Sequence, residues 1–223
     1  MPHSSTVENY LKVIYQAQVT LESRQDLVSM GDLATSLGVV PGTATAMVKT
    51  LAESGLVRYE PYAGVRLTGA GERLAARVLR RHRLIELFLV RILGMDWSEV
   101  HEEAEQLEHA SSDRLVQLMD DMLGHPAVDP HGDPIPDPDG TLTVPQHHDL
   151  LTCPLHTPVV VTRVTAQDAE FLRFIEASEL KPGQEILIEA RDPAADSVLV
   201  RGRDDRRVTL GMRAASKVLV EPA

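Results

Sequence analysis

The chain has a single cysteine, Cys153, among its 223 residues. One thiol excludes an intrachain disulfide framework and any thiolate-rich zinc cluster. Cys153 itself reads as an incidental loop thiol. Long apolar runs are also missing, so no stretch is predicted to span a bilayer. The first ten residues, MPHSSTVENY, lack the basic-then-apolar order of a secretory leader, and the expected compartment is the cytoplasm. No internal repeat and no glycine-rich phosphate loop occurs. At this length, with 43% hydrophobic residues, the chain can bury a real core in one large or several small domains.

Positive charge is scarce overall, with 22 Lys and Arg against 33 Asp and Glu and a net charge of −11. An even spread would argue against nucleic acid, but the distribution is uneven. Residues 1–95 carry 11 basic and 8 acidic side chains, residues 96–150 carry 1 and 14, and residues 151–223 carry 10 and 11. The basic third suits a DNA-contacting module, and the acidic middle is where cations would bind.

Residues 6–21 repeat apolar side chains at Val7, Tyr10, Leu11, Ile14, Tyr15 and Val19, the spacing of an amphipathic helix that Ser5 or Thr6 can cap. Residues 29–51 follow helix-turn-helix grammar. A short helix buries Leu33, Ala34 and Leu37 and stops at Gly38; a second starts near Pro41, and small Ala34 sits at the crossing. The second helix presents Thr43, Thr45 and Lys49. It lacks an Arg, Asn or Gln on that face for bidentate base contacts, so shape and water-mediated readout should carry more of the specificity. Residues 55–68 read as two short strands and a turn, a wing whose Arg58 and Arg66 can reach phosphate. The expected DNA-contacting set is Pro41, Thr43, Thr45, Lys49, Arg58 and Arg66.

Residues 68–93 form one long helix, with Thr68 as cap and more apolar surface than one small module covers; a homodimer would bury the excess. Within it His82 and Glu86 stand four apart and face the same way. Residues 100–110, VHEEAEQLEHA, taken as a helix capped by Asp96 or Ser98, place His101, Glu105, Glu108 and His109 within an arc of roughly 100°. In isolation such a face is usually a solvated stripe. Two helices each offering nitrogen and oxygen donors favour a divalent metal site instead. Ser111 or Ser112 starts a further helix. Residues 124–158 turn to Pro, Asp, Gly and His, the composition of an extended linker. Its histidines, His125, His131, His147, His148 and His156, read as exposed loop residues in preference to a second metal site. From residue 157 onward short β-rich runs, PVVVTRV, QEILIEA, DSVLVRGR, RRVTLGM and KVLVEP, surround one helical insert over residues 165–180 and suggest a small β-barrel.

The stretches Arg81-His82-Arg83-Leu84, Val100-His101-Glu102-Glu103-Ala104 through Glu108-His109, Ser112-Asp113 and Gly132-Asp133-Pro134-Ile135-Pro136 carry a resemblance to the diphtheria-toxin-repressor family of metal-dependent transcriptional regulators. It spans essentially the whole chain. The fold it implies is mainly α with a small β domain: a winged helix-turn-helix over residues 1–70, a helical metal-binding and dimerisation domain over 71–140, a linker over 141–156 and an SH3-like barrel over 157–223. The implied primary site draws on Asn9, Glu105, Glu108 and His109. The implied ancillary site draws on His82, Glu86 and His101, with Gln167 and Glu170 from the SH3-like domain. Iron-type members have Met and Cys where this chain has Asn9 and Glu105, and manganese-type members have carboxylates at both; Lys12 replaces a further carboxylate.

A ligand set without sulfur favours hard ions, so Mn²⁺ is expected first and Fe²⁺ second. The expected protein is a metal-dependent, DNA-binding repressor of metal-homeostasis genes, a homodimer on operator DNA with no membrane partner and no enzymatic activity. Two alternatives remain at this point. One is a metal-independent winged-helix regulator. The other is a carboxylate-bridged di-metal enzyme, which would need Glu-x-x-His pairs on two helices, and no such pair occurs on either helix.

Overall fold

The computed structural model describes residues 4–21 and 26–223. They pack as two compact units: Met1–His82 with Pro136–Val144, and Arg83–Ile135 with Pro145–Ala223.

In the first unit, helix α1 (Ser5–Thr20) is capped by Ser4, one residue earlier than expected, whose hydroxyl accepts from the Val7 amide. Its buried face includes Tyr10, Leu11, Ile14 and Tyr15, the three- and four-residue spacing visible in the sequence. Gln18, at the end of that face, accepts the Leu67 amide at 2.9 Å and so fixes the helix to the wing. Helices α2 (Met30–Ser36) and α3 (Pro41–Glu53) form the helix-turn-helix. Ser29 caps the first. Gly38, at φ +63°, makes the left-handed turn that ends it, and Pro41 opens the second in the first turn, where its missing N–H costs nothing. Leu11, Ile14, Leu33, Val48 and Leu51 are at most 1% exposed, each contributing about 1.5–3 kcal/mol of burial. The wing is a hairpin of β1 (Val57–Glu60) and β2 (Gly64–Leu67) in the register Arg58↔Arg66, and Val28 adds a third backbone rung through Val65. Leu142 packs into this same core.

Helix α4 (Gly69–Arg91) begins after Thr68, whose hydroxyl accepts the Gly71 amide. In the second unit, Leu84, Ile85, Leu87 and Leu89 are all at most 5% exposed. The expected surplus of apolar surface on this helix is therefore largely consumed inside the chain. Helix α5 (Val100–Glu108) has Glu99 at its N-cap with no side-chain bond; Asp96 accepts the Ser98 amide in the preceding turn and caps nothing in the helix. Helix α6 (Asp113–Leu123) is capped by Ser112 and stopped by left-handed Gly124.

The remainder of this unit is a six-stranded antiparallel sheet in the order β3-β8-β4-β5-β6-β7. Its strands are β3 (His148–Asp149), β4 (Pro158–Val164), β5 (Glu185–Asp192), β6 (Ser197–Arg201), β7 (Arg207–Gly211) and β8 (Val218–Pro222). Alternating Val159, Val161 and Val164, with Ile186, Ile188, Val198 and Val200, fill its core. Bulges at Val161/Arg163 and Ile188/Ala190 curve the two longest strands. The helical insert is shorter than expected, α7 (Ala169–Ala177), because Asp168 caps it by accepting the Phe171 amide.

The largest departure from expectation is the proline-rich segment. Residues 129–136 are buried apart from partly exposed Pro130, and they turn instead of extending. Asp129 Oδ1 accepts the amides of His131 and Asp133 at 2.8 and 2.9 Å, and Gly132, at φ +85°, closes the turn against the backbone of Thr162 and Arg163. A side chain at that glycine would meet main chain, which is why the turn needs one.

Candidate metal centre and DNA-contacting surface

Glu86 lies on α4 and is fully buried. Its Oε1 stands 3.1 Å from His101 Nδ1 on α5, and one turn further along α5 Glu105 Oε1 is 3.9 Å from the other nitrogen of that ring. Glu108 is fully buried on the same helix, with its Oε1 3.2 Å from His109 Nε2. His109 is the C-cap of α5 instead of a member of its last turn, yet keeps near-helical φ and ψ, so it stays on the predicted face. His82 occupies the turn of α4 just before Glu86 and is 4% exposed. Asn9 is half-buried on α1, next to Glu8, which pairs with Arg81 at 3.9 Å. Lys12 is buried.

The far side of Glu86 holds residues that the sequence had assigned to exposed linker. His131 is 0% exposed. Its Nε2 lies 2.9 Å from the Trp97 carbonyl, an obligate acceptor, so that nitrogen carries a proton and Nδ1 is the nitrogen left to ligate. Nδ1 faces Glu86 Oε2 at 3.9 Å. Ligand atoms of Glu86, Asp129 and His131 all lie within 4.8 Å of one another. Among the described residues, neither His131 Nδ1 nor Asp129 Oδ2 has a hydrogen-bond partner. Burial, then Asp133 and Glu86, push the Asp129 carboxyl well above the ordinary carboxylate range, with Arg83 opposing. Buried acceptors that converge in this way need a cation or a proton between them. A divalent ion with ligand bonds of about 2.0–2.4 Å fits that spread. The residues present therefore suit a metal of the hard, oxygen- and nitrogen-liganded kind.

The two residues expected from the SH3-like sheet behave differently. Gln167 donates its amide to Asp133 Oδ2 at 3.1 Å, beside Asp129. Glu170 is exposed in the first turn of α7 and enters no group of three candidate ligands among the described residues. A separate cluster, Asp120, Asp121 and His125, closes the end of α6, with His125 Nδ1 3.1 Å from Asp120 Oδ2. Asp129 and His131 are the candidate ligands that sequence reasoning missed. The available signal was local: an aspartate followed at two and four residues by amides that its side chain can bind marks a turn, and a turn is a way to bury a histidine.

On the first unit, Thr43 and Lys49 are exposed on α3, and Thr45 returns its hydroxyl to the Pro41 carbonyl at 2.9 Å. Pro41 is exposed at the start of that helix. Arg58 and Arg66 are directly opposed across the wing. Tyr62, fully exposed at the wing tip with φ +66°, is a further surface residue that the sequence reading did not single out.

A winged helix-turn-helix, a buried carboxylate–imidazole centre on helices and an SH3-like sheet, all in one chain, define a metal-dependent transcriptional regulator. Three family profiles match. The iron dependent repressor N-terminal DNA binding domain covers residues 3–65, the iron dependent repressor metal binding and dimerisation domain covers residues 68–137, and the FeoA domain covers residues 148–222. The chain belongs to the iron-dependent repressor family, which includes the diphtheria toxin repressor.

It is 34% identical over 132 residues to the HTH-type transcriptional regulator MntR of Lysinibacillus sphaericus, covering 57% of this chain and 91% of that protein. It is 28% identical over 228 residues to the iron-dependent repressor IdeR of Mycobacterium leprae, covering 97% and 96%. Among solved structures it resembles a manganese-dependent transcriptional repressor in complex with manganese, at 40% identity and TM-score 0.87, covering 97% of this chain and all of the other. Membership in this family makes the chain a regulator and removes the di-metal enzyme as a reading. Among the described residues no helix is long and apolar enough to cross a membrane.

Proposed function

We propose that the protein is a cytoplasmic, manganese-responsive repressor, with Fe²⁺ as the second candidate ion, acting as a homodimer on operator DNA upstream of metal-homeostasis genes. The observation that carries the metal reading is the convergence of Glu86, Asp129 and His131 in a fully buried spot, with His101 on the other oxygen of Glu86. No sulfur takes part, which favours Mn²⁺ and Fe²⁺ over thiophilic ions. Glu105, Glu108 and His109 are proposed as the core of the primary site. His82 joins them on its position one turn before Glu86 on α4, and Asn9, Gln167 and Glu170 are added on the family resemblance. A bound divalent ion supplies the charge that lets several buried carboxylates ionise together. The carboxylates and imidazoles then hold α4, α5 and the 129–135 turn in one arrangement. A ligand set that fits the ion better in the DNA-competent arrangement shifts the population toward it, at about 1.4 kcal/mol per tenfold preference.

The proposed division of labour follows the expected boundaries, with DNA contact in residues 1–70, metal and dimer contacts in 71–140, a linker over 141–156 and the SH3-like domain over 157–223. Exposed Thr43, Lys49 and Arg58 support the DNA-contacting set. Leu115, Leu118 and Met122, exposed in a row along α6, support a dimer face there. A gel shift on promoter DNA with a metal panel tests the proposal. Binding should appear with Mn²⁺ or Fe²⁺, disappear on chelation, and be lost in Glu108→Ala. Binding that survives exhaustive chelation would favour the metal-independent regulator, and binding supported only by Zn²⁺ or Cu²⁺ would overturn the hard-ion argument.

A further inference from the structure

Asp133 is 4% exposed and sits where four pieces of the second unit meet. Its Oδ1 faces two guanidiniums, Arg163 from β4 in a short contact and Nη2 of Arg83 from α4 at 3.6 Å. Its Oδ2 accepts from Gln167 Nε2 at 3.1 Å, in the connection between β4 and α7. Its own amide donates to Asp129 Oδ1 at 2.9 Å, and the amide of His131 donates to the same oxygen. Asp129 is thereby pinned by one oxygen; the other lies 3.7 Å from Arg83 Nε and has no hydrogen-bond partner, and the residue stands in one group with Glu86 and His131.

We propose that Asp133 is a positioning residue for the metal centre, whose carboxylate sets which end of the Gln167 side-chain amide is offered as a ligand. The idea rests on the reading that Glu86, Asp129, His131 and Gln167 belong to a divalent-ion site. A side-chain amide can flip end for end at almost no intrinsic cost, and only its carbonyl oxygen ligates a cation. A carboxylate beside it removes that freedom, because it accepts from the NH₂ end and repels the carbonyl end. The two arginines face the other oxygen of Asp133 and oppose its rotation, so the Gln167 NH₂ stays on Oδ2 and Oε1 is the end left to ligate. The same side chain joins the SH3-like sheet to α4 through Arg163 and Arg83. Any strain on the sheet is thus felt at the ligand's orientation. Asp133 touches no ion itself.

The chemistry predicts a reversal of sign between two backgrounds. Asparagine at 133 can donate as well as accept, so Asp133→Asn lets the Gln167 amide turn either way. Glutamate at 167 needs no orientation to ligate, but beside an intact Asp133 it places two carboxylates together. Mn²⁺ titrations by calorimetry on the chelated full-length protein, with Mn²⁺ electron paramagnetic resonance as the site readout, test this. Asp133→Asn alone should weaken one site by about 10- to 100-fold, the usual scale for residues that orient a ligand. Gln167→Glu alone should also weaken it. The double variant should bind more tightly than either single one, which independent structural damage would not produce.

Unchanged affinity in Asp133→Asn, or losses that simply add in the double variant, would overturn the proposal. If Asp133→Asn does not fold, Gln167→Ala in the otherwise native chain decides: unchanged affinity and an unchanged resonance signal there also overturn it. A native protein that takes up no Mn²⁺ at all fails the parent reading along with this one. Native uptake with an indifferent Asp133→Asn fails this one alone.

Discussion

Replacing His131 with phenylalanine separates what the buried imidazole does for the fold from what it does for the ion. Phenylalanine keeps the flat ring and its stacking on Trp97, whose ring centre lies 5.4 Å away, but removes both nitrogens. Without metal, the loss is the bond from Nε2 to the Trp97 carbonyl. A buried acceptor left unpaired costs about 1–3 kcal/mol. With metal, a ligand is gone, and a fall in affinity of about 100-fold is a modest expectation. At a free Mn²⁺ concentration about 100 times the native Kd, the native protein is stabilised by about 2.7 kcal/mol and the variant, now at its own Kd, by about 0.4 kcal/mol. The difference of about 2.3 kcal/mol corresponds to roughly 5–9 °C in a chain of this length. Thermal unfolding of both proteins with chelator and with Mn²⁺, followed by the emission of the single tryptophan, measures the two parts separately. Equal Mn²⁺-induced shifts in the two proteins would refute the placement of an ion between Glu86, Asp129 and His131.

Three further perturbations address other parts of the molecule. Gly132→Ala puts a side chain against the Thr162 and Arg163 backbone at a residue with φ +85°; it should lower stability by about 1–3 kcal/mol or more and weaken Mn²⁺ binding, as seen in denaturant melts and titrations, and a neutral result would contradict the tight turn. Leu118→Glu charges an α6 position that is 54% exposed, so the monomer should fold normally while sedimentation shows loss of the dimer; an unchanged dimer would place the interface elsewhere. The third concerns pH. Burial and the neighbouring carboxylates raise the Asp129 carboxyl, so in the metal-free protein the folded state holds that proton more tightly than the unfolded chain. The stability it contributes is present at low pH and is lost as pH rises through the raised value. Asp129→Asn should therefore remove a component of the pH dependence of melting in chelated protein, and a native-minus-variant difference that is flat with pH would speak against the shift. Mn²⁺ competes with the same proton, so native affinity should rise over that range with proton release.

What could be read from the sequence divides by range. The helix-turn-helix was legible because its determinants are local: the spacing of Leu33 and Ala34, left-handed Gly38, Pro41 at a helix start, and a hairpin whose strands alternate. The caps at Ser29 and Ser112 and the stop at Gly124 are local as well. The errors at Ser4, Glu99 and Asp168 are shifts of a few residues at helix ends, where several polar residues compete to cap. The α5 face was legible as a helical arc, though its meaning depended on Glu86, fifteen residues earlier.

His131 marks where that kind of reading stops. Its Nε2 proton goes to a carbonyl 34 positions away, and its Nδ1 faces a side chain on α4. Proline, aspartate and glycine around it lower the average hydropathy and read as exposed linker. The same residues are what a tight buried turn requires: Asp129 supplies the acceptor that satisfies two amides, Gly132 supplies the positive φ, and Arg83 and Arg163 answer the charge of Asp133. A polar turn can be buried when its polar groups satisfy one another. Here Asp129 Oδ1 accepts two amides, His131 Nε2 donates to the Trp97 carbonyl and Asp133 Oδ2 accepts from Gln167. Among the atoms without a hydrogen-bond partner, Nδ1 of His131 and Oδ2 of Asp129 have the right chemistry to hold an ion. A segment that composition describes as a spacer between domains is in this fold a wall of the metal centre, and the arginine–aspartate contacts that let it be buried also connect that centre to the sheet.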